Sequence, residues 1–71
     1  MTRFLIVIEK ANGNYSAYST DVPGCIATGA TREEARKNMI EAMEAHVRLL
    51  QEENLPIPEA SSSSEHVAIG A

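Results

Sequence analysis

The sequence predicts an α+β fold of order β-β-β-α-β, with one long helix laid across one face of a small sheet. Three observations predict it. Strand-like runs flank Asn12-Gly13, a dipeptide that marks hairpins because both residues tolerate positive φ. Thr31 and Glu34 form a capping-box pattern and open a stretch free of proline and glycine as far as Glu53. His66-Val67-Ala68-Ile69, beyond a serine run, is again strand-like.

Residues 2–10 read as the first strand. Phe4, Ile6 and Ile8 point one way, and Leu5 and Val7 the other. Apolar residues on both faces suit a central strand, or a strand with one face used in association. After the Ala11–Asn14 turn, residues 15–20 alternate as a partly polar second strand antiparallel to the first. Asp21-Val22-Pro23-Gly24 then reverses the chain. Pro23 presets φ, Gly24 accepts the positive φ of a type II turn, and Asp21 can accept bonds from nearby amides. Residues 25–28 form a short third strand, and Gly29 allows a sharp exit.

Thr31 is the N-cap of the helix. Its hydroxyl accepts the Glu34 amide while the Glu34 carboxylate reaches back, with Ala30 and Ala35 at the weak staple positions. The helix is expected over about 32–53. Ala35, Met39, Ala42, Met43, His46, Leu49 and Leu50 make its apolar stripe, widened by Ile40 and Val47. The opposite face offers the i,i+4 pairs Glu33–Lys37 and Glu44–Arg48, each contributing about 0.2–0.5 kcal/mol. Glu33 and Glu34 sit favourably in the positive first turn. Asn54 can take a left-handed cap, and Pro56 stops the helix.

One domain spans residues 1–71, with a flexible linker at about 57–65. A right-handed crossover returns the fourth strand beside the first, giving the sheet order 3-2-1-4. A single helix covers one sheet face only. Leu5, Val7, Val67 and Ile69 are therefore the expected association surface.

A chain of 71 residues buries only about 60% of its unfolded surface. With one cysteine, Cys25, no disulfide staples it, so a homo-oligomer is the expected extra source of stability. A lone cysteine fits a reducing compartment, and the five-residue run Phe4–Ile8 is far too short for a membrane span. Location in the cytoplasm follows. Ten acidic against six basic residues give a net charge of −4. That balance disfavours direct nucleic-acid binding. It either suits a basic protein partner or simply keeps the chain in solution.

Catalytic chemistry finds no constellation, and no cofactor or metal is expected. Glu9 and Asp21 are strand-associated carboxylates, but two-metal catalysis needs several converging ones. His46 lies on the apolar stripe with no second His or Cys at i±3 or i±4, and His66 lies near the tail. Cys25 reads as a strand residue and Met39 and Met43 as core. Arg32, Arg36 and Lys37 are interleaved with Glu33 and Glu34, a weak phosphate site. No serine triad, P-loop, dinucleotide fingerprint or zinc spacing is present.

Asp21-Val22-Pro23-Gly24-Cys25, then Gly29, then Thr31-x-Glu33-Glu34-Ala35-x-x-Asn38 resembles the HicB family of antitoxin-like proteins, over about residues 3–55. The resemblance implies a partial ribonuclease H-like fold. It also implies the antitoxin role in a type II toxin–antitoxin pair, occluding a small basic HicA-type ribonuclease. Many family members carry a C-terminal DNA-binding segment, helix-turn-helix or ribbon-helix-helix, and none is read in residues up to Ala71. The competing reading is a stand-alone, self-associating regulatory or scaffold module with no toxin partner.

Overall fold

The computed structural model describes residues 2–70. Three strands and a helix follow one another as β1 (Val7–Lys10), β2 (Tyr15–Tyr18), β3 (Ile26–Gly29) and α1 (Arg32–Glu52). The sheet is antiparallel with order β1-β2-β3. The chain is thus α+β, one helix against three strands.

Turn chemistry sets the register. Gly13 takes φ 80°, and the Ala11 N–H donates to the Asn14 carbonyl at 2.8 Å. That pairs Ile8 with Ala17 and Val7 with Tyr18. Between β2 and β3, Gly24 takes φ 85° and the Cys25 N–H closes on the Val22 carbonyl at 3.4 Å, with Pro23 and Gly24 in the middle of the turn. Ala17 then pairs with Ala27 and Tyr18 with Ile26.

These pairings assign the faces. Ala17 is buried with Val22, Cys25, Met39 and Met43, and Ile8 and Ala27 pack against that cluster. The row Ile8–Ala17–Ala27 therefore faces the helix, and the next row, Val7–Tyr18–Ile26, faces away, because strand side chains alternate. The helix presents Ala35, Met39 and Met43 to the core, the i, i+4, i+8 stripe of one helical face. It lies chiefly over β3 and β2 and least over β1.

The helix start is built from side chains. Thr31 is extended (φ −128°, ψ 163°), and its hydroxyl accepts the Glu34 N–H at 3.1 Å. The Glu34 carboxylate reaches the N–H of Ala30, at 3.0 Å, one residue before the cap. Gly29 is buried against this turn. A β-carbon there would meet the Ala35 nitrogen and lie 2.8 Å from the Glu34 carbonyl carbon. Its φ is not positive, so close approach of helix to strand excludes a side chain at this position. Asn38 adds a second tie, donating to the Thr28 carbonyl at 2.8 Å.

At the other end, Asn54 adopts φ 55°. The Leu55 N–H donates to the Leu50 carbonyl at 2.8 Å and the Asn54 N–H to the Gln51 carbonyl at 3.2 Å. Both bonds of a Schellman cap are present, with asparagine in the left-handed position usually taken by glycine.

Several expectations are corrected. Residues 2–6 lie outside the β1 ladder, β2 stops at Tyr18, and β3 runs one residue later than expected. Among the described residues there is no fourth strand, so the order 3-2-1-4 does not form and β1 is an edge. The physical reason is conformational entropy. The amides of Ser61 and Ser62 are captured by Asp21, and the four-residue run beyond them would have to order a non-local pairing from a serine-rich segment. Glu33–Lys37 and Glu44–Arg48 do not close as ion pairs. The ion pair among the described residues is Arg32–Glu33 at 3.6 Å, both partners exposed. Such a pair contributes little.

Candidate functional site

Where β2 ends, its side chains take over the pairing with the chain entering β1. The Ser19 hydroxyl donates to the Leu5 carbonyl at 2.6 Å, and one Asp21 oxygen accepts the Leu5 N–H at 2.8 Å. Ser19 Oγ also accepts the N–H groups of Asp21 and Val22, at 3.1 and 3.2 Å. The second Asp21 oxygen accepts the N–H groups of Ser61 and Ser62, at 3.1 and 2.9 Å. Ser19 and Asp21 are themselves buried. One carboxylate thus joins the N-terminal segment, the β2–β3 turn and the tail.

Three backbone amides converging on one carboxylate favour its charged form. Asp21 is accordingly lowered from 3.8 to about 2, chiefly by the Leu5 amide, against the opposing effect of burial and with help from Ser62 and Ser61. An Asp held ionised this way is a structural acceptor, occupied on both oxygens. Burial pushes the Cys25 thiol up, so it lacks the lowered pKa of a reactive cysteine. Among the described residues no three His, Cys, Asp or Glu side chains come together as a metal-binding group. Glu9 is exposed on β1, His46 is half-buried on α1, and His66 is exposed in the tail.

Two surfaces are left for contact. The first is the sheet face turned from the helix, where Val7, Tyr18 and Ile26 form one row across the three strands. Ile26 is 74% exposed there. Leu5 and Val7, half-buried, belong to the N-terminal strand segment. Val67 and Ile69 are not beside them in a strand but lie in the unpaired tail, 67% and 77% exposed. The second surface is an open groove between the N-terminal segment and the helix. Phe4, Ile6, Ile40, Met43 and Val47 give it an apolar floor, and Thr2, Arg36, Glu44, Arg48 and Gln51 its polar rim.

Sequence reasoning placed Asp21 in a turn but missed its reach to Leu5 and the tail. It also assigned Arg36 and Arg48 no place in a groove. The Ser-x-Asp spacing at a strand end was the available signal for the first. The second depends on where residues 2–6 run, which no local pattern states. No helix among the described residues is long and apolar enough to cross a membrane.

The family profile for the HicB-like antitoxin of bacterial toxin–antitoxin systems matches residues 4–69. A 14.9 kDa protein from the rep-hol intergenic region of Haemophilus phage HP1 is 34% identical over 62 residues, 87% of this chain. The chain spans only 47% of that phage protein. A UPF0150 protein of Synechocystis is 36% identical over 56 residues, covering 78% of this chain and 71% of its own. A UPF0150 protein of Thermoplasma acidophilum is 30% identical over 67 residues, 94% of both chains. No solved structure matches the chain significantly. With nearly the whole described sequence inside the profile, the chain belongs to the HicB-like antitoxin family of bacterial toxin–antitoxin systems.

Proposed function

We propose that this protein is the antitoxin of a toxin–antitoxin pair, a non-catalytic cytoplasmic protein that binds and occludes a small basic HicA-type ribonuclease without itself contacting nucleic acid. The observation that carries this reading is the family match over residues 4–69. The net charge of −4 supports it, since an acidic chain attracts a basic partner. The row Val7–Tyr18–Ile26, half-buried at Val7 and most exposed at Ile26, is the surface we assign to that partner, an apolar centre bordered by Glu9, Ser16 and Thr28 on the same face. In this reading the three strands and helix represent a partial ribonuclease H-like fold.

Co-expression with the neighbouring reading frame tests the proposal. The expected result is a small basic protein that is toxic alone, is neutralised by this chain and co-purifies with it. A neighbour that is neither toxic nor bound would overturn the toxin reading. The second reading, a stand-alone self-associating module, is favoured by the exposure of Val67 and Ile69. It predicts self-association with no product of the neighbouring frame bound.

A further inference from the structure

Among the described residues the tail has the pattern of a strand but is paired with none. In Glu65-His66-Val67-Ala68-Ile69, residues 65, 67 and 69 share one face of an extended chain. Two of them are large apolar residues, 67% and 77% exposed. Residues 59–70 are exposed throughout. The molecule is correspondingly drawn out. Its radius of gyration is 13.9 Å, against about 11 Å for a compact chain of this length. Its longest dimension is 49 Å, beyond the roughly 31 Å of its helix.

The body offers a matching vacancy. β1 is the edge of the sheet. The Leu5 backbone points towards β2, where Ser19 and Asp21 hold it. By strand alternation the N–H and C=O groups of Phe4, Ile6 and Ile8 then point to the open edge. Beside that edge lies the groove floored by Phe4, Ile6, Met43 and Val47 and rimmed by Arg36 and Arg48. An added strand would set its apolar face on this floor and an acidic residue of the same face at an arginine of the rim.

From these features we infer that the arm after Ser62 adds as a strand to the free β1 edge of a second copy of this chain, and receives that copy's arm in return. Val67 and Ile69 enter the partner's groove, and Glu65 meets Arg36 or Arg48 according to strand direction. The bonds from Ser61 and Ser62 to Asp21 fix where each arm leaves its own body. Reciprocal exchange closes the assembly as a two-fold dimer and leaves no open sheet edge at β1. This surface is separate from the Val7–Tyr18–Ile26 face, so each assignment can fail without the other.

Light scattering after size exclusion tests the dimer on the full chain. Wild type is expected to have twice the chain mass, and the double variant Val67→Asp/Ile69→Asp the mass of one chain with the helical signal of its circular dichroism spectrum unchanged. Ile26→Asp is expected to remain dimeric. In a sample mixed from isotope-labelled and unlabelled chains, filtered NOEs are expected between the Val67 and Ile69 methyls of one copy and Phe4 or Ile6 of the other. A monomeric wild type, a dimer indifferent to the double substitution, or tail NOEs confined to one copy would each overturn the inference.

Discussion

Asp21 and Leu5, sixteen positions apart, are joined by a 2.8 Å bond from the Leu5 N–H to the Asp21 carboxylate. The bond extends the β1–β2 pairing beyond the last backbone pair, Val7 with Tyr18. It also explains why this acid is held at about 2. The same carboxylate anchors the tail, so one side chain decides both how the N-terminal segment lies and where the arm departs.

Asp21→Asn is expected to lower the melting temperature and to speed amide exchange at Leu5, Ser61 and Ser62. An amide side chain keeps one carbonyl acceptor and loses the charge that strengthens the bonds. Exchange rates unchanged at those three amides would contradict the clamp.

The same group sets an acid limb. Its folded pKa lies below the ordinary value, so its contribution is complete above 3.8 and is lost as pH falls towards about 2. Urea midpoints of the wild type should drop across that window, and those of Asp21→Asn should drop less. Parallel curves for the two proteins would show that other carboxylates carry the acid response.

Gly29→Ala should destabilise by about 1–3 kcal/mol, the usual cost of forcing a methyl into a packed contact, because the added carbon meets the backbone of Glu34 and Ala35. Gly24→Ala is a different case. Nothing lies within 4 Å of its added carbon, but φ is 85°, so a cost of about 1–2 kcal/mol comes from conformation alone. Equilibrium denaturation of both variants checks the pair. A neutral Gly29→Ala would mean that the helix does not sit on the end of β3.

Thr31→Ala should cost about 1 kcal/mol through loss of the cap, since the Thr31 hydroxyl holds the Glu34 amide. The matching effect of Glu34→Ala should appear as faster exchange at Ala30, whose N–H the carboxylate accepts. An unchanged denaturation midpoint for Thr31→Ala would place the helix start elsewhere.

What could be read from the residues was what depends on near neighbours. The Asn12-Gly13 hairpin, the Pro23-Gly24 turn, the Thr31 cap and the apolar stripe through Met39 and Met43 each depend on spacings of a few positions. Their elements lie where those spacings put them, within a few residues. The tail failed because a strand at His66–Ile69 needs a partner about sixty residues away, and periodicity says nothing of whether one is free. The Asp21 clamp was hidden for the same reason. A carboxylate in a turn has amides close by in sequence, yet this one takes its partners from Leu5, Ser61 and Ser62. The alternation of Phe4, Ile6 and Ile8 against Leu5 and Val7 was legible, whereas the groove beside Phe4 and Ile6 depends on where residues 2–6 run against the helix.

The most direct measurement of the antitoxin role is RNA cleavage by the neighbouring frame's purified product, titrated with this protein. Cleavage should be suppressed at one equivalent of wild type and restored when Ile26→Asp replaces it, with the folded state of the variant intact. Cleavage that persists in excess wild-type protein, or suppression equally strong with Ile26→Asp, would contradict occlusion by the open sheet face.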